Sequence, residues 1–133
     1  MQWGRGTSLR TAVSCDTFDI PGYAVDDNSQ YYTHEGLPFI DSAAALDGDE
    51  LNIFVINRGW ESSNALELDV SGFPGWTLTE QVELYSDDPD AANTWEDPEK
   101  VVPKRNEQTK LEGGKVLADL KPLSWNVFRL KKA

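Results

Sequence analysis

Apolar residues along this chain recur with a period of two, the spacing of strands, and no window of useful length carries a helical period. Leu66, Leu68 and Val70 alternate with Glu67 and Asp69, which predicts a strand with one buried and one wet face. Leu51, Ile53 and Val55 alternate with Asn52, Phe54 and Ile56, so this segment is apolar on both sides and predicts a strand deep in a sheet. Asp47-Gly48 separates it from Ser42-Ala-Ala-Ala-Leu46, a hairpin signal that predicts antiparallel pairing of the two. Trp76, Leu78, Val82 and Leu84 form a further alternating run after the turn Phe73-Pro-Gly75, with Glu80 its one interruption. Val116, Ala118 and Leu120 make a short strand. In the last one, Leu123, Trp125 and Val127 alternate with Ser124, Asn126, Phe128 and Leu130. Gly113-Gly114 and Lys121-Pro122 read as turns through positive φ and fixed φ respectively.

Strands at this short spacing predict an all-β fold, an antiparallel β-sandwich of jelly-roll type with about eight to ten strands. The predicted core is Leu51, Ile53, Val55, Leu66, Leu68, Val70, Leu84, Trp125 and Val127, with Trp76 also inside. The best helical candidate, Asp41 to Leu46, is too short to stand alone. The polar stretch Asp16 to Gly36, holding Pro21 and Gly22, predicts a long surface loop. The whole, residues 1–133, reads as one domain: a lead-in strand over 1–15, the loop over 16–36 and the sandwich over 37–133.

The formal charge of -11 disfavours nucleic acid and anionic membrane as partners, because both need clustered Lys and Arg. No Lys or Arg occurs from Thr11 to Asn57, whereas basic residues dominate from Lys100 onward. Two oppositely charged regions of one domain, or a docking surface for another, would each produce that asymmetry. Cys15 is the single cysteine, so no intramolecular disulfide is possible; in Ala12-Val-Ser-Cys15 it reads as a small packed side chain. Gln2-Trp-Gly-Arg-Gly is polar and glycine-rich, unlike a signal peptide, and a cytoplasmic location is expected.

Candidate chemistry is sparse. Asp87, Asp88 and Asp90 with Asn93 have the ligand types for Ca²⁺ but lack the glycine of a sharp binding turn; Asx capping of the loop's own backbone is the alternative. His34, Glu35 and Asp41 offer too few nitrogen or thiolate ligands for zinc. Neither metal nor cofactor is expected. Tyr31, Tyr32, Trp60 and Trp95 could stack on sugar rings, or Trp60 and Trp95, with Trp3, could cover seams of the fold.

Four segments carry a resemblance. They are Gly4-Arg-Gly6 with Ser8-Leu-Arg-Thr-Ala-Val-Ser-Cys15, then Glu50-Leu-Asn-Ile-Phe-Val-Ile-Asn-Arg58, the three-proline stretch Asp87 to Pro103, and Leu120-Lys-Pro-Leu-Ser-Trp-Asn-Val-Phe-Arg-Leu130. In that order they resemble the C-terminal β-domain of family 51 α-L-arabinofuranosidases. The resemblance implies a jelly-roll sandwich packed on a (β/α)8 barrel, and a parent that hydrolyses terminal α-L-arabinofuranosides with retention through two barrel glutamates. Neither glutamate has a counterpart here, so the chain by itself is expected to be inactive. Its implied partners are a barrel, in cis or in trans, and further copies in a homo-oligomer. A free-standing module for arabinose-containing polysaccharide, or a subunit completing a separate barrel, are the alternatives. Asn106-Glu107 repeats the dipeptide of the barrel's acid/base, but between Lys104, Arg105 and Lys110 it reads as a solvated turn. A face made for the barrel should be apolar, with Trp3, Leu9 and Phe18 as candidates.

Overall fold

The structure is a computed structural model describing residues 3–133; Met1 and Gln2, at the head of the expected lead-in, lie outside the described residues. Thirteen strands and no helix form among the described residues. They are β1 (Thr7–Leu9), β2 (Thr17–Ile20), β3 (Tyr23–Ala24), β4 (Gln30–Tyr31), β5 (His34–Pro38), β6 (Ile40–Asp47), β7 (Glu50–Asn57), β8 (Asn64–Asp69), β9 (Trp76–Leu84), β10 (Lys104–Asn106), β11 (Lys110–Glu112), β12 (Lys115–Leu120) and β13 (Ser124–Lys132). Six build one sheet in the order β1-β6-β7-β13-β9-β10 and three a second in the order β11-β12-β8, within the range expected for the sandwich.

Every pairing is antiparallel, and the registers define the faces. Leu51 stands opposite Leu46 and Leu130, Ile53 opposite Ala44 and Phe128, and Val55 opposite Ser42 and Asn126. These residues point inward. Leu51, Ile53, Val55, Phe128 and Leu130 join Val70, Val116 and Leu120 in one buried cluster, with Leu66, Leu68, Leu111 and Ala118 of the small sheet packed against it. The alternation in β8 and β12 is thus that of a sheet with one face on the core and one in water.

Three expectations need correction here. Leu84, Trp125 and Val127 belong to the opposite, outer face of the large sheet: Trp125 stands opposite Leu84 and Ile56, and Val127 opposite Val82 and Phe54. Val127 is fully buried but Trp125 and Leu84 only partly, and none of the three joins the inter-sheet cluster. For Leu84 the cause is a β-bulge opposite Arg129/Leu130, which puts Leu78 and Trp76 inward but Glu80, Val82 and Leu84 outward; Trp125 and Val127 face outward because the alternate residues of β13, Phe128 and Leu130, meet the second sheet. Glu80, the interruption in the alternation, marks that slip.

The segment 16–36 is an arm with two short ladders, β2 on β5 and β3 on β4, rather than a loop. Its backbone pairs with itself although nearly every side chain is exposed, so no hydrophobic alternation announced it. Finally, the β6–β7 turn is centred on Gly48-Asp49, one residue later than Asp47-Gly48: Asp47 pairs with Glu50 and Gly48 takes φ +57°, the Gly-first order of a II′ turn. Gly6 fixes the entry to β1. At φ +98°, a Cβ there would lie 2.2 Å from the Leu46 carbonyl oxygen.

One end of the interior is polar. Asn57 donates to the carbonyls of Leu120 (3.3 Å) and Lys121 (2.9 Å) and accepts from the Gly59 N–H and the Asn64 amide, each at 3.0 Å. Gln81 donates to Asn126 at 2.9 Å and accepts from Thr109; Asn126 donates to Ser124 at 3.0 Å. Every fully buried side-chain polar atom among the described residues has a partner, which is how this interior avoids the cost of desolvated, unpaired groups.

Candidate functional site

The strand directions gather the long connections at one end. β7 finishes there at Asn57, β9 at Leu84 and β12 at Leu120, while β6 and β13 begin there at Ile40 and Ser124. The arm, the connection 58–63, the connection 85–103 and the turn 121–123 therefore all leave from this end. It also carries most of the exposed large apolar side chains: Tyr23, Val25, Tyr31, Tyr32, Trp60, Trp95 and Leu123.

Of the four candidate sugar-stacking residues, Tyr31 and Tyr32 lie on the arm, Trp60 on the 58–63 connection and Trp95 on the 85–103 connection. Trp95 is 95% exposed and Trp60 75%. Tyr31 stacks against Tyr23 with ring centroids 5.0 Å apart, a contact absent from the sequence reading because it depends on the β3–β4 register. The structure records no stacking among Tyr32, Trp60 and Trp95.

The 85–103 connection holds itself with its own side chains. Asp88 accepts from the Asp90 N–H at 3.0 Å, Thr94 accepts from the Asp97 N–H at 3.1 Å, and Asn93 both accepts from the Val101 N–H at 2.7 Å and donates to its carbonyl at 3.0 Å. Of the residues considered for Ca²⁺, Asp88 and Asn93 thus serve the backbone. Among the described residues, no three His, Cys, Asp or Glu side chains come together as metal ligands. Asn106 ends β10 and donates to Glu83 at 3.3 Å, while Glu107 is exposed. His34 is exposed on β5, and partly buried Cys15 accepts from the Ile40 N–H.

The outer face of the large sheet has two parts. Its apolar part is Phe54, Ile56, Leu84 and Trp125 around the buried Val82 and Val127, with Phe54 and Trp125 6.0 Å apart. Where the 85–103 connection leans over it, Ile56, Leu84, Trp125, Pro89, Ala91 and Val101 line an open hollow of about 440 Å³. The other part is charged. Arg129 bonds to Glu80, which also holds Arg105 at 2.8 Å, and reaches Glu50 at 3.4 Å and Asn52 at 3.3 Å. Burial pushes the Glu80 carboxyl up, but bonds from Arg129 and Arg105 and their charge outweigh it and hold it below its ordinary value. Trp3 lies over Arg129, 5.1 Å from guanidinium to ring.

Of the expected barrel-facing residues only Trp3 belongs to this face. Leu9 packs into the inter-sheet core and Phe18 stacks on Phe39 at 4.7 Å. Sequence reasoning missed Phe54, Ile56 and Val82 as site residues; the available signal was the apolar character of both sides of β7.

A model of the α-L-arabinofuranosidase C-terminal domain matches residues 1–124. The chain is 33% identical over 128 residues to the intracellular exo-α-(1→5)-L-arabinofuranosidase of Streptomyces lividans, covering 96% of this chain and 18% of that protein. It is 31% identical over 129 residues to the exo-α-(1→6)-L-arabinofuranosidase of Bifidobacterium longum, covering 95% of this chain and 23% of that one. Among solved structures, the α-L-arabinofuranosidase of Thermotoga maritima in its arabinose complex superposes with a TM-score of 0.79 at 26% identity, covering 93% of this chain and 25% of that one. The chain therefore spans a quarter or less of each of these proteins.

Proposed function

The chain belongs to the α-L-arabinofuranosidase C-terminal domain family, and from that premise we propose that it is the non-catalytic β-sandwich of such an enzyme, bracing a catalytic barrel and its oligomer. One observation carries this reading: the likeness runs over nearly all of this chain and over no more than 25% of each relative named above. The reaction, hydrolysis of terminal α-L-arabinofuranosides, would then belong to the larger remainder. Relatives named for (1→5) and (1→6) linkages both contain a matching segment, so linkage preference would reside outside it too. The barrel is proposed to lie in cis, as it does in the relatives, and the Streptomyces name supports a cytoplasmic setting.

The test is activity. The chain alone should not turn over an aryl α-L-arabinofuranoside, and the Streptomyces enzyme deprived of its matching segment should lose heat resistance that this chain, fused in its place, restores. Turnover by the isolated chain would overturn the non-catalytic reading.

The exposed aromatic side chains at one end of the sandwich favour a second reading, a module binding arabinose-containing polysaccharide through Tyr31, Tyr32, Trp60 or Trp95. Titration with arabinan fragments should then shift tryptophan fluorescence, and a flat response at millimolar sugar would end it.

A further inference from the structure

We propose that the hollow under the 85–103 connection binds a residue of a neutral sugar chain, stacked on Trp125. The proposal rests on the second reading above, a module for arabinose-containing polysaccharide, and gives that reading a site other than the exposed Tyr31, Tyr32, Trp60 and Trp95.

The first argument is shape. Ligand sites are concave and mostly apolar, about 300–1,000 Å³ in volume, with a few polar groups that fix orientation. The hollow, of about 440 Å³, has Ile56, Leu84, Leu123 and Trp125 in its apolar lining and Arg58 and Asp88 in its polar lining. The connection keeps its arch through its own bonds: Asn93 holds the Val101 backbone by both N–H and carbonyl, and the Ala91 N–H donates to the Asp88 carbonyl at 3.1 Å. A loop braced in this way forms the hollow before a ligand arrives, so binding requires little further ordering.

The second argument is Leu123. Among the described residues six glycines take a positive φ, and Leu123, at +48°, is the one other residue that does so. A bulky side chain in that conformation is strained, and such strain persists only where the surrounding structure imposes it, often at ligand sites. The Leu123 N–H donates to the Gly59 carbonyl at 2.8 Å, and the side chain, 47% exposed, forms one wall of the hollow. Glycine would relieve the backbone and remove the exposed apolar surface. A leucine kept there against both costs is accounted for by a ligand that packs on it.

The lining chemistry selects the ligand. Trp125 offers an indole face, an apolar surface suited to the C–H side of a sugar ring. Arg58 has N–H donors beyond those given to Pro38 and Asp41, and Asp88 has a second carboxylate oxygen beyond the one that accepts from Asp90. Hydroxyl groups, each both donor and acceptor, suit this mixed rim. A polyanion does not, because the connection carries Asp87, Asp88, Asp90, Glu96, Asp97 and Glu99 against Lys100 alone.

The experiment titrates the 133-residue chain with α-(1→5)-linked arabinotriose, the linkage in the Streptomyces name, and follows amide and indole signals by nuclear magnetic resonance. The Trp125 indole and the amides of Ala91, Val101 and Leu123 should shift together and saturate, while the Trp60 and Trp95 indoles stay in place. Trigalacturonic acid should move none of them. Ala91→Phe, which fills the hollow, and Leu123→Gly, which removes its wall, should each weaken binding about tenfold or more. Leu123→Gly should do so with a thermal midpoint no lower than the parent's, which separates a ligand-binding role from a structural one. Shifts confined to Trp60, Trp95 or the Tyr31 and Tyr32 amides would overturn the hollow and leave the sugar-binding reading standing, whereas no shift at millimolar arabinotriose would end both. The hollow would also be overturned by unchanged affinity in both variants, by an equal response to trigalacturonic acid, or by the same shifts on concentrating the protein without sugar, the mark of a second copy seated there.

Discussion

Truncating Phe128 and Trp125 separately measures which face of the large sheet holds the isolated domain together. The two residues are three apart on β13 and point to opposite faces. Phe128 is fully buried, opposite Ile53 and Gln81, in the inter-sheet cluster. Phe128→Ala removes that packing and leaves a cavity, at a cost of about 3–5 kcal/mol. Trp125 is only partly buried and has Phe54 as its aromatic neighbour on the outer face. An aromatic side chain buries roughly 150–250 Å². With part of Trp125 in solvent and alanine retaining part, about 80 Å² of burial is lost, or about 2 kcal/mol at about 25 cal/mol per Å². No closed cavity forms, because solvent reaches that face. Urea unfolding followed by far-ultraviolet circular dichroism, insensitive to loss of a fluorophore, should therefore rank Phe128→Ala as the costlier by at least about 1 kcal/mol. Thermal midpoints should fall by about 10–20 °C and about 5–8 °C respectively. If the full truncation of Phe128 abolishes folding, Phe128→Leu provides the graded comparison. A Trp125→Ala chain as destabilised as Phe128→Ala would refute the assignment of faces.

Three further outcomes are expected. The folded Glu80 carboxyl is held below its ordinary value of 4.5, so its ion pairs stabilise the chain above that pH and the contribution disappears as the pH falls through the folded value; a urea series from about pH 6 to about pH 3 should show a decline that is shallower in Glu80→Gln. Gly6→Ala forces a side chain onto the Leu46 carbonyl at a positive φ, and should cost more than about 2 kcal/mol and raise amide exchange in β1 and the facing part of β6. Asn57→Ala strips four hydrogen bonds from one buried amide, so a loss of about 2–4 kcal/mol in chemical unfolding is expected, whereas Asn28→Ala at the exposed arm tip should be within about 0.5 kcal/mol of the parent.

Much of the architecture was legible because it rests on local chemistry. The alternation of β8, β12 and β13 and the hairpin between β6 and β7 follow from patterns a few residues long. What escaped depends on distant partners. Alternation separates the Trp125 side of β13 from the Phe128 side but does not say which meets the second sheet; Trp125 has the larger ring, while Ser124 and Asn126 made the other side look wet. Those two are instead buried within a hydrogen-bonded set completed by Gln81 and Thr109. The arm was missed for a different reason: its ladders are made by backbone groups beneath exposed side chains, and backbone pairing leaves no hydrophobic trace. The outer face was visible in the two-sided apolar pattern of β7 but could not be assembled before its neighbours on β9 and β13 were known.

The bulge in β9 has a consequence for how this domain can vary in length. Thr79 is the extra residue between Leu78, opposite Leu130, and Glu80, opposite Arg129, so its deletion would remove the bulge and leave both halves on their present faces, whereas a deletion beyond the bulge would put the two halves out of step. Loss of Gln81, for example, would turn Val82 and Leu84 into the polar interior or, with those held in place, turn Trp76 and Leu78 into solvent. Gains and losses of residues among related sequences should therefore fall in the arm, in the 85–103 connection and at the bulge itself, leaving the paired halves of β9 on either side of Thr79 at constant length while their individual side chains change.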